Sequence, residues 1–244
     1  MSAYKPLLII KTGNTIATLK ARGLDFEDWF RAGCGLRDSE CRTVSLFLGE
    51  PLPALDEVGA IIVTGSPAFV TDLEPWNHVG ARYLRQAHEQ NVPILGVCYG
   101  HQLLAWAFAG EVDFNPAGRQ IGTVALELTA AGARDALLAP LAAHPRVQVS
   151  HLQSVLALPP GAELLASRKE DPNHAFRMGD STWGVQFHPE FSAEVTRAYI
   201  KERRAVLTEE ELEPNALLKS VSDTPQAVGV LKRFVAHSLQ RNVE

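Results

Sequence analysis

The sequence predicts an α/β fold in which a mostly parallel central sheet is flanked by helices and carries a small antiparallel edge. Over the first hundred residues, short β-branched runs alternate with helix-like stretches, a pattern that favours parallel strands with helices on the sheet faces. Beyond residue 118 the strands become shorter and are separated by turn residues, which indicates an antiparallel edge. The 244 residues, 46% of them hydrophobic, are sufficient for the core of one large domain.

Four apolar runs in the first hundred residues predict the parallel strands. They occupy residues 7–11, 43–47, 60–64 and 93–97. Apolar residues at helical spacing predict helices at 24–32, 78–90 and 99–109. Because the helices lie between or after the strands, the chain has the order of repeated strand–helix units.

The second half of the chain predicts the antiparallel edge and two closing helices. The predicted strands of this edge are residues 124–128 and 147–150, around a small Ala-rich helix at 133–138, and further strands are predicted at 162–166, 175–178 and 183–187. The closing helices are predicted at 193–206 and 225–239. Between them, the acidic and then polar segment 208–223 is predicted to be a mobile connection.

Composition and charge argue against several classes of function. A net charge of −5 with scattered Lys and Arg residues argues against nucleic acid as a ligand. No apolar stretch approaches the roughly 20 residues of a membrane-spanning helix, and residues 1–10 lack a secretory pattern, so we expect a cytoplasmic protein without membrane contact. The three cysteines form no CxxC pair, and HExxH, GxxxxGK[ST] and GxGxxG motifs are absent, so we expect no disulfide, metal or cofactor.

A candidate nucleophile follows the fourth predicted strand. Cys98 stands between Gly96 and Gly100 in a Gly-x-Cys-x-Gly pattern that runs directly into an apolar helix. This is the arrangement of a nucleophile elbow, in which the glycines remove side chains that would collide at a strained turn. At a helix start, the macrodipole and free N–H groups favour the thiolate. The alternative is a small buried cysteine, which is our interpretation of Cys34 and Cys41.

A candidate base and its partner follow the strand predicted at 183–187. His188 is followed two positions later by Glu190, and Pro189 stiffens the link. Because residues two apart in extended backbone project the same way, Glu190 can accept a hydrogen bond from one imidazole nitrogen while the other faces sulfur. Taken alone, His-Pro-Glu would indicate a solvated surface turn. Its weight comes from its occurrence together with the cysteine elbow.

The remaining histidines divide into two groups. His101 opens the elbow helix and His151 ends a strand, so both stay open between structural and functional roles. The other five are interpreted as solvated surface residues: His78, His88, His144, His174 and His237.

The two motifs together resemble the class I, triad-type glutamine amidotransferases. That family carries Gly-x-Cys-x-Gly-x-Gln, here from Gly96 to Gln102, and later His-Pro-Glu, here from His188 to Glu190. The resemblance runs over about residues 45–195 and is greatest to stand-alone proteins similar to the glutaminase domain of GMP synthase. It implies a flavodoxin-like three-layer fold. We expect a single domain over residues 1–244, with a catalytic core of about 43–206 and a C-terminal helical extension of about 207–244.

The resemblance also implies an oxyanion hole. Gly65 and Ser66 match the family's Gly-Gly-Pro loop, in which Ser66 replaces a glycine and keeps its backbone N–H. The backbone N–H of Tyr99 would supply the second donor for a tetrahedral oxyanion. An ordinary strand-to-helix turn is the alternative interpretation of this loop.

Substrate contacts are implied in the same way. Gln102 matches the family glutamine that lines the substrate pocket. A later stretch matches the family segment whose backbone helps to hold the amino-acid end of the substrate: Ser150, His151 and Leu152. Gln153 stands where the family has an aspartate, a departure that concerns the substrate or a partner rather than the triad.

Together these residues predict an enzyme that removes the side-chain amide of glutamine through a γ-glutamyl thioester, with no cofactor. Ammonia would pass to a separate synthase partner, because no ATP site is recognisable in the chain. The alternative is a free-standing hydrolase of γ-glutamyl peptides or amides. A regulatory module without catalysis is a third hypothesis, which the loss of a triad residue would indicate, and all three residues are present.

Overall fold

A computed structural model describes residues 5–142 and 144–241, and twelve strands lie within them. They are β1 (Leu7–Lys11), β2 (Cys41–Ser45), β3 (Ala60–Val63), β4 (Ile94–Val97), β5 (Glu111–Phe114), β6 (Gln120–Ala125), β7 (Glu127–Leu128), β8 (Arg146–His151), β9 (Gln153–Ala157), β10 (Glu163–Arg168), β11 (Asp171–Met178) and β12 (Thr182–Val185). Eight form one sheet in the order β2-β1-β3-β4-β12-β11-β10-β7. The other four form two antiparallel pairs, β5 with β9 and β6 with β8.

The main sheet is parallel on one side and antiparallel on the other. Strand β4 pairs in parallel with both β3 and β12, and β1 pairs in parallel with β2 and β3. From β12 onwards, the pairs with β11, β10 and β7 are antiparallel. The predicted fold class, a mostly parallel sheet with an antiparallel edge, is confirmed.

Eight α-helices lie in the described part of the chain. They are α1 (Ala17–Lys20), α2 (Phe26–Cys34), α3 (Pro75–Glu89), α4 (Tyr99–Ala107), α5 (Ala193–Glu202), α6 (Arg204–Glu209), α7 (Pro214–Ser220) and α8 (Pro225–Arg241). Successive side chains of β1 point to opposite faces of the sheet, and their contacts show which helices cover each face. Leu7 and Ile9 join a hydrophobic cluster with α2 and α8, whereas Leu8 and Ile10 join another with α3 and α4. The result is three layers, with a core on each side of the sheet.

Helix α2 is fixed at its start by side chains that also hold the end of β1. The carboxylate of Asp25 accepts from the backbone N–H of Phe26, and the carboxylate of Asp28 accepts from the backbone N–H of Asp25. These reciprocal bonds form a capping box at the start of the helix. Lys11, at the end of β1, donates to Asp25 at 2.7 Å and to Glu27 at 2.8 Å. This ties α2 to the carboxyl end of the sheet.

Three predicted elements differ in the structure. The helix predicted at 133–138 is one turn of 3₁₀-helix, Gly132–Arg134, because the Asp135 carboxylate takes the N–H groups of Leu137 and Leu138 in a local turn. The helix predicted at 193–206 is divided into α5 and α6 at Arg203. The segment 208–223, predicted to be a mobile connection, contains the helix α7.

Strands β5 and β9 were not predicted as separate strands, because β5 is short and largely exposed and β9 follows β8 after a single residue. Within the described residues, no helix has the length and apolar character needed to cross a membrane.

Candidate active site

The turn between β4 and α4 presents Cys98 in a strained backbone conformation. Its φ of 53° and ψ of −101° lie where residues other than glycine are rarely found. A Cβ atom on Gly96 would lie 2.4 Å from the carbonyl oxygen of Gly100, and one on Gly100 would lie 2.4 Å from that of Val63. Both glycines are therefore required by the close approach of the first turn of α4 to β3 and β4.

His188 reaches the same edge of the sheet from β12. Because β12 pairs in parallel with β4, Val185 lies beside Val97, and the chains leaving both strands emerge together. The Nδ1 atom of His188 lies 2.7 Å from Oε1 of Glu190, which fixes the ring and leaves Nε2 as the nitrogen available to Cys98. Phe191 stacks on the imidazole with ring centroids 4.0 Å apart.

The electrostatic environment of His188 favours its protonated form. Burial lowers the pKa of the imidazole, but the charges of Glu190 and of the Cys98 sulfur raise it by more, so the pKa is raised to about 10. An imidazolium stabilises a neighbouring thiolate. The arrangement can thus hold a proton on the histidine beside the sulfur.

Two adjoining cavities meet at Cys98. The first, of about 100 Å³, is lined by Cys98, His188, Ser66, Tyr199 and Arg203 among others. The second, of about 70 Å³, shares Cys98, Ser66 and Arg203 with the first. Ser150 also lines both cavities, and the further lining of the second includes Tyr99, Gln102, His151 and Leu152. The structure therefore brings the sequence-predicted site residues to one place.

The loop after β3 forms one wall of both cavities. A Cβ atom on Gly65 would lie 3.0 Å from the Cε1 atom of His188, so a side chain here would press on the imidazole. The hydroxyl of Ser66 donates to the carbonyl oxygen of Thr12 at 2.6 Å and accepts from the backbone N–H of Ala68 at 3.1 Å. Tyr99 is the first residue of α4, where backbone N–H groups have no partner within the helix.

Gln102 joins α4 to the segment opposite. Its side-chain nitrogen donates to the carbonyl oxygen of Gln153 at 2.6 Å and to Oε1 of Gln186 at 3.0 Å. The carbonyl oxygen of Ser150 lies 4.0 Å from the Cys98 sulfur. Gln153 also lines the second cavity; it is buried, and its side chain donates to the hydroxyl of Thr71 at 2.6 Å.

A buried cluster beneath this wall was not predicted from the sequence. Asp171 accepts from His151 at 3.0 Å and from His174 at 3.2 Å through a single carboxylate oxygen. The surface interpretation of His174 was wrong, because β11 begins at Asp171 rather than at 175 and turns His174 into the core. Burial raises the pKa of Asp171, but hydrogen bonds from His151 and His174 outweigh it, so the pKa is lowered. No group of His, Cys, Asp and Glu side chains within residues 5–142 and 144–241 is arranged to hold a metal ion.

Sequence reasoning also missed the arginines of the cavity. Arg203 lines both cavities and Arg119 lines the second. The guanidinium of Arg203 lies 4.7 Å from the ring centroid of Tyr199, a residue of α5 four positions earlier. An aromatic residue and an arginine one helical turn apart, shortly after His-Pro-Glu, was the available signal.

Comparison with known sequences points to one family. The profile described as "Glutamine amidotransferase class-I" matches residues 39–206. A GMP synthase (glutamine-hydrolyzing) of Porphyromonas gingivalis is 39% identical over 137 residues, which are 56% of this chain and 26% of that protein. A protein of Halobacterium salinarum that is named as one subunit of a GMP synthase (glutamine-hydrolyzing) is 33% identical over 158 residues, 64% of this chain and 79% of that protein. The matched part thus spans about a quarter of the first relative and most of the second.

Solved structures agree on the fold. A glutamine amidotransferase from Thermotoga maritima superposes with a TM-score of 0.74 at 22% identity and covers 99% of both chains. A glutamine amido transferase from Methylobacillus flagellatus gives a TM-score of 0.75 at 24% identity, with 96% of both chains covered. At these identities the agreement concerns the arrangement of strands and helices.

Proposed function

The chain belongs to the class I glutamine amidotransferase family, and from this we propose that it hydrolyses the side-chain amide of glutamine through Cys98, His188 and Glu190. The observation that carries the proposal is the strained turn at Cys98, which opens into the same cavity as His188. A residue other than glycine at φ 53° costs about 1 to 3 kcal/mol, a cost that proteins retain mainly at functional sites.

The first half of the reaction forms a thioester. The Cys98 thiolate attacks the carboxamide carbon, and the carbonyl oxygen takes up the negative charge. The backbone N–H groups of Ser66 and Tyr99 are the donors proposed for that oxyanion. His188, held by Glu190, gives its proton to the departing nitrogen, which leaves as ammonia while the γ-glutamyl group stays on sulfur.

The second half releases the acid. With ammonia gone, neutral His188 accepts a proton from a water molecule, and the hydroxide attacks the thioester carbon. The bond between carbon and sulfur breaks, glutamate departs, and the thiolate is restored beside the imidazolium. Glu190 remains a carboxylate throughout and keeps the ring in one orientation.

The fate of the ammonia is the second part of the proposal. Because the relatives of this chain include a protein named as one subunit of a GMP synthase, we assign the ammonia to a separate synthase partner. One observation favours a free-standing γ-glutamyl hydrolase instead. The second cavity continues from Cys98 past Phe69 and Leu152, whose apolar side chains could contact an organic substituent on the leaving nitrogen.

The proposal is tested by ammonia and glutamate release from glutamine and from a γ-glutamyl dipeptide. The controls are Cys98→Ala and Cys41→Ala, since Cys41 is a free cysteine in β2, outside both cavities. We expect turnover that is lost in Cys98→Ala and retained in Cys41→Ala. Slow, glutamine-selective turnover points to a synthase partner, and fast dipeptide turnover points to a hydrolase. Turnover that survives Cys98→Ala contradicts the mechanism.

A further inference from the structure

Arg203 is a cation at the active cavity whose guanidinium forms no ion pair with a carboxylate among the described residues. It stands between α5 and α6 and lines both cavities. Its Nη1 atom is buried and has no hydrogen-bond partner within the described part of the chain. Burying an arginine nitrogen without an acceptor is costly, so an acceptor is expected to arrive with a ligand.

The surroundings of Arg203 supply no carboxylate that binds its guanidinium. Neither cavity has an aspartate or glutamate in its lining. The other arginine, Arg119, is neutralised by Glu210 through bonds of 2.7 and 2.9 Å. The adjacent Glu202 instead binds the N-terminal backbone of α1 at Ala17 and Thr18. Burial and the charge of Arg119 lower the pKa of Arg203 by more than Tyr199, Cys98 and Glu202 raise it, so the pKa is lowered.

The position of the guanidinium is set before any ligand binds. It lies against the face of Tyr199, and the hydroxyl of Tyr199 is held 2.9 Å from that of Thr15. Phe191 packs on Tyr199 and also stacks on His188. The cation and the candidate base are therefore held at one cavity through two intervening aromatic rings.

We propose that Arg203 binds the α-carboxylate of the substrate and so restricts the enzyme to γ-amides with a free carboxylate at the amino-acid end. This rests on the proposed function. Four carbon–carbon bonds separate the amide carbon of glutamine from its carboxylate carbon, a span of about 5 Å. A substrate whose amide lies at Cys98 therefore keeps its carboxylate within the same cavity system. The planar guanidinium offers a carboxylate two parallel N–H donors.

The test compares glutamine with glutamine α-amide, in which a neutral carboxamide replaces the carboxylate. We expect Arg203→Gln to raise KM for glutamine about 10- to 100-fold, the worth of a charge-assisted hydrogen bond, and to leave kcat within about threefold. KM for the α-amide should not change. Arg203→Lys should recover part of the glutamine affinity. Arg204→Gln is the matched control, because Arg204 is exposed and its guanidinium donates to Asn215, away from both cavities.

A second measurement separates binding from catalysis and from folding. Calorimetric titration of glutamine into Cys98→Ala should give a dissociation constant that increases by the same factor when Arg203→Gln is added. Thermal unfolding of each variant identifies any loss that comes from packing on Tyr199.

An equal increase in KM for glutamine and for the α-amide in Arg203→Gln would overturn the proposal. A fall in kcat with unchanged KM would also overturn it and would place Arg203 near the Cys98 sulfur instead. Absence of wild-type turnover with retained, Arg203-dependent glutamine binding would contradict the proposed function alone.

Discussion

The imidazole Nδ1 of His188 and the carboxylate Oε1 of Glu190 lie 2.7 Å apart, and both side chains are buried. The second carboxylate oxygen of Glu190 is buried too and has no partner within the described residues. The carboxylate is therefore directed at the ring, and the ring has one orientation. Changing this contact alters the pKa of His188 and the direction in which Nε2 points.

Glu190→Gln should lower kcat by at least about 100-fold, because the amide keeps the shape of the side chain but removes the charge that orients and protonates the imidazole. The measurement is kcat and KM for glutamine over a range of pH. Glu194→Gln is the control, since Glu194 is exposed and pairs with Arg22. Equal kcat in Glu190→Gln and the control would mean that Glu190 does not position the base.

The same contact predicts a pH dependence of stability. The pKa of His188 is raised from 6.5 to about 10 in the folded protein, so the protonated ring contributes stability that is fully present below pH 6.5. That contribution is lost as the pH rises through about 10. Between pH 6 and 10, the free energy of unfolding measured in urea should therefore fall more steeply with pH for the wild type than for Glu190→Gln. Parallel curves would contradict the raised pKa.

Cys98→Gly should give an inactive protein that is more stable than Cys98→Ala by about 1 kcal/mol. Glycine adopts φ 53° without steric cost, whereas alanine keeps the strain of cysteine and loses only the sulfur. The free energy of unfolding in urea measures the difference. Equal stability of the two variants would show that no strain is stored at this turn.

Gly100→Ala should destabilise the protein by about 3 kcal/mol or more, because its Cβ atom would lie 2.4 Å from a backbone oxygen that cannot move away from the sheet. Gly118→Ala provides the comparison. It has open space around it but a φ of 74°, and should cost about 1 kcal/mol from backbone strain alone. A Gly100→Ala variant as stable as Gly118→Ala would contradict the close packing of α4 on β3.

Asp171→Asn should cost about 3 kcal/mol, since the carboxylate holds two buried histidines and its loss leaves their polar atoms without a charged partner. Because the pKa of Asp171 is lowered, this stability is present above its unfolded-state pKa near 3.8 and is lost as the pH falls. We also expect KM for glutamine to rise, because His151 belongs to the cavity wall. The exposed Asp113→Asn is the control for both measurements.

Much of the site could be predicted because its chemistry is local in the sequence. An elbow needs a strand, two glycines and a helix within a short segment, and Gly96, Cys98 and Gly100 provide the pattern in one place. His188 and Glu190 are similarly two positions apart. The family resemblance indicated that the two motifs act together, and the parallel pairing of β12 with β4 brings them to one edge of the sheet.

The parts that could not be predicted depend on contacts between distant segments. His174 was interpreted as exposed because it stands in a polar stretch of sequence, but Asp171 pairs inside the core with His151, twenty positions away. Arg203 falls inside the helix predicted at 193–206, where nothing in the sequence pattern separates it from the other scattered Lys and Arg residues. Its role as a cavity wall depends on where β12 places α5. Likewise, segment 208–223 has a loop-like composition, yet it contains α7, which packs against β6 and α5.

The placement of β12 beside β4 has a consequence for how the chain is made. The two strands are far apart in sequence. Gln102 follows β4 and Gln186 follows β12, and these two residues, joined by a hydrogen bond, are 84 positions apart. Closing so long a loop carries an entropic cost that only the completed sheet repays. During synthesis the cysteine strand leaves the ribosome well before the histidine strand exists. A partly made chain therefore carries the Cys98 thiol without the imidazole proposed to act with it, and the proposed pair is complete only when the last parallel strand docks.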